Sequence, residues 1–202
     1  MEYIIPTEIW QIFFDQVDFL SQIRLTMVCK YFHLSLKVTD FHNIDEKYLR
    51  LLTNDILKNY PFIIKLNANY NKKITNVNYL THLKELDVYW LSGIGDEGIK
   101  DCDLTILGAN RNSKIKNVNH MKHLKELYAS GECGISDNGI KECDLVILNA
   151  YNNYKIKNVN HMKKLKYLNA GRECGIGDDG IKDCELVNLD AVGNNKITIF
   201  KH

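Results

Sequence analysis

Residues 132–145 read ECGISDNGIKECDL, and the same stretch returns 41 residues later as ECGIGDDGIKDCEL. A chain built on a short period must stack its copies, so this self-similarity constrains the fold more than any local motif does. A step of 41 aligns nearly everything after residue 62. Leu66, Leu107, Leu148 and Leu189 correspond, as do Ala68, Ala109, Ala150 and Ala191, then Asn71, Asn112, Asn153 and Asn194, then Ile74, Ile115, Ile156 and Ile197. Each period also splits in two, because Leu83, Leu86, Val88 and Ile94 recur as Leu124, Leu127, Ala129 and Ile135, and again as Leu165, Leu168, Ala170 and Ile176. The unit is therefore 20 to 21 residues in two alternating flavours, with apolar side chains at relative positions 1, 4, 6 and 12. About seven units follow, starting at Ile63, Leu83, Leu104, Leu124, Leu145, Leu165 and Leu186.

Positions 4 and 6 alternate as a strand requires, with both side chains on one face. One short strand cannot bury that face alone, whereas stacked copies form a continuous parallel sheet over a shared core. This pattern resembles the leucine-rich repeat, L-x-x-L-x-L-x-x-N, over residues 63–202, and ISDNGI and IGDDGI resemble its cysteine-containing subtype. The resemblance implies an α/β solenoid, curved, with a parallel sheet on its concave face. Alanine at several of the position-6 sites points to a thin inner layer and tight curvature.

Taken alone, the acid- and cysteine-bearing stretch invites a metal or redox assignment. With Gly139 as the sixth residue of a calcium loop, the ligand positions would be Gly134, Ser136, Asn138 and Leu145, which do not supply the carboxylates. As structure the stretch is coherent, with Asp137 and Asp178 as helix N-caps and Ile140 and Cys143 on one face of a short helix. Cys102, Cys143 and Cys184 recur two units apart, about 9.6 Å at the strand spacing, beyond the roughly 7 Å a disulfide spans. Cys133 and Cys174 are separated in the same way. Zinc ligands come in closely spaced pairs, and the chain has no C-x-x-C. His120 and His123 form an H-x-x-H whose next copy, His161 and Lys164, loses the second histidine. No metal and no cofactor is expected.

A formal net charge of +1 gives no overall pull toward nucleic acid or membrane. Lys114, Lys116, Lys122 and Lys125 recur as Lys155, Lys157, Lys163 and Lys166, but acidic units alternate with them, so the outer surface is expected to pair its own charges. Hydrophobic residues at 45% against 25% charged exclude disorder. No apolar run approaches the ~20 residues that span a bilayer, no signal peptide is read at residues 1–10, and a reducing compartment, cytoplasmic or nuclear, is expected.

Residues 1–40 carry no repeat and read as short helices, with Ile9, Ile12 and Phe13 forming an i, i+3, i+4 apolar stripe. In order, Ile5-Pro6-Thr7-Glu8-Ile9, Asp18-Phe19-Leu20 and the run from Leu25 through Val28-Cys29-Lys30 to Phe32 resemble an F-box, with Ile5 standing for the usual Leu and a bulky Ile12-Phe13-Phe14 as departures. Residues 45–60 place Leu49, Leu52, Ile56 and Leu57 on one helical face, stopped by Pro61, and are expected to cap the solenoid as a linker helix over 41–62. The C-terminal unit ends without a polar cap, so an end that frays or is covered by a partner is expected there.

An F-box followed by leucine-rich repeats resembles the substrate-receptor subunit of cullin–RING ubiquitin ligases. The resemblance implies a non-catalytic chain that binds a Skp-type adaptor, and through it a cullin, by Ile5, Pro6, Ile9, Phe13, Val28 and Cys29, with Cys29 as a packing residue. A target protein would be held by the repeats. Within each unit, positions 3, 5 and 7 leave the sheet on the concave side and position 8 lies at its edge. This gives Glu85, Tyr89 and Trp90; Ile106 and Arg111; Glu126 and Tyr128; Ile147 and Tyr151; and Tyr167 and Arg172 as the target-binding surface. The alternative is an interaction scaffold whose helical module only caps the repeats. No Ser/His/Asp or Cys/His set and no phosphate-binding glycine loop points to an enzyme.

Overall fold

Each 20- or 21-residue step of the sequence is one step of hydrogen-bonded register. In the computed structural model, which describes residues 5–198, eight short strands run β1 Asp40–Phe41, β2 Lys65–Asn67, β3 Glu85–Asp87, β4 Ile106–Gly108, β5 Glu126–Tyr128, β6 Ile147–Asn149, β7 Tyr167–Asn169 and β8 Asn188–Asp190. They form one open sheet in chain order, every pair parallel. Leu66, Leu86, Leu107, Leu127, Leu148, Leu168 and Leu189 lie in register. The first six are at most 2% exposed, each contributing about 1.5–3 kcal/mol by leaving water. The arrangement is α/β and solenoid-like, with one core running its length.

The sheet begins one strand earlier than the repeat pattern predicts. Val38, Phe41, Leu49 and Leu52 precede Ile63, Leu66, Ile74 and Val77 by 25 residues each, and all eight are buried. The extra residues and a polar Asn43 at position 6 hide this first unit from a 20/21 pattern. The single helix expected over 45–60 is instead two turns, α4 Glu46–Leu49 and α5 Asn54–Leu57. The first ends at Arg50, and Thr53 caps the second, its hydroxyl accepting from the Ile56 amide at 3.2 Å. Ile56 turns outward as a result, 38% exposed, while Leu57 is fully buried.

Ahead of the sheet lie α1 Thr7–Phe14, α2 Phe19–Val28 and α3 Lys30–Ser35. They dock through Phe14, which is buried, and through an edge-on pair of Phe19 with Phe41, ring centres 5.0 Å apart. Gln11 ties α1 to the chain before β1, its amide donating to the Lys37 carbonyl and accepting from the Lys37 amide. Residues 1–4 and 199–202 lie outside the described residues, so the expected uncapped C-terminal end falls partly beyond them.

Single helical turns α6 Asp96–Ile99 and α7 Asp137–Ile140, and a 3-10 turn Asp178–Gly180, fall on alternate units. Asp137 and Asp178 are not their N-caps as expected; Ser136 and Gly177 occupy that place, with no side-chain cap bond. The carboxylates reach forward instead. Asp96 accepts the Lys116 and Asn117 amides, Asp137 accepts the Lys157 and Asn158 amides, and Asp178 accepts the Thr198 amide. Local capping and inter-unit bridging need the same residue type, so sequence could not separate them. The glycine two residues later has a matching reason. A Cβ on Gly98, Gly139 or Gly180 would overlap the carbonyl oxygen of Thr75, Lys116 or Lys157 in the preceding unit. Their own carbonyls accept the Val77, Val118 and Val159 amides at 2.9 Å.

Gly139→Ala is therefore expected to destabilise the fold by about 3 kcal/mol in urea unfolding, as an overpacked backbone contact. Alanine at the neighbouring exposed Asn138 serves as the control.

Candidate partner-binding face of the sheet

After each strand the chain leaves the sheet through one residue at position 8, and at all seven units with that position this residue has a positive φ. Gly131 and Gly193 adopt it without strain, but Tyr70, Trp90, Arg111, Asn152 and Arg172 adopt it with φ between 49° and 58°. A left-handed backbone costs a side-chain-bearing residue about 1 kcal/mol or more. The neighbouring unit enforces it, since the Trp90, Arg111, Asn152 and Arg172 amides donate to the Asn110, Ser130, Gly171 and Val192 carbonyls at 2.8–3.0 Å. Large side chains are thus held along one edge of the sheet's open face.

The predicted target-binding residues all lie on that open face, none of them buried. The structure brings together a cluster at its N-terminal half. Tyr89 packs edge-on against Trp90, ring centres 6.4 Å apart, and the Arg111 guanidinium lies over the Trp90 ring at 4.9 Å. Tyr70 joins through an edge contact with Tyr89 at 5.7 Å. It was missed in the sequence, although it stands at position 8 of its unit just as Trp90 does. A second, separate pair forms three strands on, Arg172 over Tyr151 at 5.8 Å. Ile106, Ile147 and Tyr167 occupy position 3 of β4, β6 and β7 on the same face. Trp90 and Arg111, with Lys72, Lys114, Glu132 and Asn152, border an open groove of about 800 Å³.

Acidic groups collect nearer the strands themselves. Glu85 is paired with Lys65 at 2.9 Å, Asp87 with His42 at 3.2 Å, and Tyr128 donates its hydroxyl to Glu126 at 3.0 Å. Burial pushes the Asp87 carboxyl above the usual carboxylate range, with His42 opposing and Glu85 adding to the rise. Gly108 on the adjacent strand leaves room for that carboxylate. Burial, then the bond to Glu126, likewise raises the Tyr128 hydroxyl.

The other chemistry-bearing motifs are structural. His120 and His161 donate from Nε2 to the Ile99 and Ile140 carbonyls at 3.0 Å, while His123 pairs with Asp103, so the H-x-x-H pair diverges. Lys114, Lys155 and Lys196 donate their ammonium groups to the Ser92, Cys133 and Cys174 carbonyls at 2.8–2.9 Å. Lys122 pairs with Glu142 and Lys164 with Asp144 across neighbouring units. Among the described residues no group of three or more His, Cys, Asp or Glu is placed to hold a metal ion, and no helix is long and apolar enough to cross a membrane. Cys102, Cys133, Cys143 and Cys174 are buried thiols, and burial pushes the first three up to about 11. Cys29, expected as a packing residue, is exposed. It is the N-cap of α3, its sulfur facing the Phe32 amide at 3.5 Å. No protein-family model matches this chain, and no curated protein is significantly similar to it in sequence.

Iodoacetamide at pH 8 is accordingly expected to modify Cys29 in the folded protein while sparing Cys102, Cys133, Cys143 and Cys174 until urea is added. Peptide mass mapping reads the result, and fast native labelling of Cys133 would contradict it.

Proposed function

We propose that the chain is a non-catalytic receptor of the F-box and leucine-rich-repeat kind, which docks a Skp-type adaptor of a cullin–RING ubiquitin ligase through its helices and a target protein through the open face of its sheet. The observation that carries this reading is the outward face of the helices. Phe14 is the one fully buried residue of α1, and Ile9, Phe13 and Val28 are 42%, 61% and 69% exposed. Ile5, Pro6 and Cys29 are exposed as well. All six residues that the F-box resemblance assigns to the adaptor are therefore available. Ile12, Met27 and Leu34 on the same three helices are each at least 59% exposed as well. Solvent-facing apolar side chains in such number mark a protein-binding surface. The repeats in turn offer aromatic and arginine side chains, the types that dominate protein interfaces. A receptor of this kind acts by raising the local concentration of a target beside the conjugating machinery, with no bond chemistry of its own.

A second reading, a scaffold whose helices only cap the repeats, draws support from the burial of Phe14 and the packing of Phe19 on Phe41. The two readings use opposite faces of the helices and part company on the adaptor. Pro6→Ala combined with Ile9→Asp is expected to weaken adaptor binding at least tenfold, read by co-purification and calorimetry, with the unfolding midpoint nearly unchanged. Adaptor binding that survives the double substitution, or no adaptor binding by the unaltered chain, would favour the scaffold.

A further inference from the structure

The cations of the open face are not equivalent. Lys65 is paired with Glu85 and the Lys114 ammonium is held by the Ser92 carbonyl. Arg111 and Arg172 have no carboxylate partner and no side-chain hydrogen bond among the described residues; each is held only by an aromatic ring beneath it. The pairing of a guanidinium with a ring of the preceding unit occurs twice. Trp90, Arg111 and Gly131 occupy position 8 of three successive units. A Cβ on Gly131 would crowd the Arg111 stem. Three units later Tyr151 supplies the ring and Arg172 the guanidinium. A guanidinium stacked on a ring with its donors unused is preorganised for a carboxylate.

We propose that this edge of the sheet recognises an acidic, extended segment of the target protein, with one carboxylate on Arg111 and another on Arg172. Three strand steps separate the two arginines, about 14 Å at the usual spacing, which an extended peptide covers in about four residues. Glu132 borders the groove beside Arg111, Glu173 follows Arg172 in sequence, and Glu85, Asp87 and Glu126 lie on the adjoining face. These carboxylates repel a continuous polyanion such as nucleic acid and leave two discrete anion positions. The inference rests on the reading of this face as the target surface, and is independent of the adaptor.

The probes are fluorescein-labelled extended peptides with two glutamates four residues apart, a glutamine twin, and a twin with the glutamates adjacent. All are measured by anisotropy on the full chain. The spaced peptide is expected to bind roughly tenfold tighter than either twin, and to lose about that factor with Arg111→Gln or Arg172→Gln, each still folded by circular dichroism. No binding, equal binding of the twins, variants that bind as well as the unaltered chain, or tighter binding of an oligothymidylate would overturn it. Adaptor binding by the same samples keeps the outcomes apart, since its loss sinks the ligase reading and leaves this one standing.

Discussion

A buried amide repeated every 41 residues holds the coil together. Asn71, Asn112, Asn153 and Asn194 are at most 3% exposed. Each donates both amide hydrogens to two backbone carbonyls of the preceding unit, as Asn153 does to Ala129 and Ile135 at 2.8 and 3.2 Å. Its oxygen accepts a backbone amide two residues on, at 2.8–3.0 Å. A short strand closes too few hydrogen bonds to fix its neighbour's position. A side chain that satisfies the loop carbonyls beyond the strand extends the lattice where the sheet ends. No buried side-chain nitrogen or oxygen among the described residues is left without a partner. A second, exposed set, Asn78, Asn119 and Asn160, bridges the other way, each donating to one carbonyl of the following unit and accepting one amide from it.

This lattice explains how the open face carries strained, bulky residues. At Tyr70, Arg111 and Asn152 the position-8 residue directly precedes a buried asparagine, and at Trp90 and Arg172 its amide is held by a carbonyl of the following unit, so the left-handed turn is imposed on a bulky side chain in both kinds of unit. Trp90, Arg111 and Arg172 are displayed there because the backbone has no other path. Rigid presentation of aromatic and guanidinium groups reduces the entropy lost on binding. It links the packing of the core to the surface proposed for a partner.

Much of this was legible in the sequence because the core repeats. Positions 1, 4, 6 and 12 and the alternating 20- and 21-residue steps appear in the structure as register, and the open-face residues fall where the alternation places them. The unread parts share one cause, that their partners lie in another unit. β1 escaped because its unit is longer and carries Asn43 where apolar residues stand elsewhere. Asp137 looked like a local cap because the amides it accepts are 20 residues away. The stretch ECGISDNGIKECDL already read as structural in the sequence, but the reason for Gly139, its contact with the carbonyl of Lys116 in the preceding unit, was visible only in the structure.

The asparagine ladder is tested most directly by urea unfolding of Asn153→Ala beside Asn138→Ala, the second replacing an exposed asparagine. Removing the buried amide leaves two carbonyls unpaired, so a loss of about 3 kcal/mol is predicted for Asn153→Ala, against less than about 0.5 kcal/mol for the exposed site. Equal, small losses for the two variants would contradict the ladder as the interaction on which the fold depends.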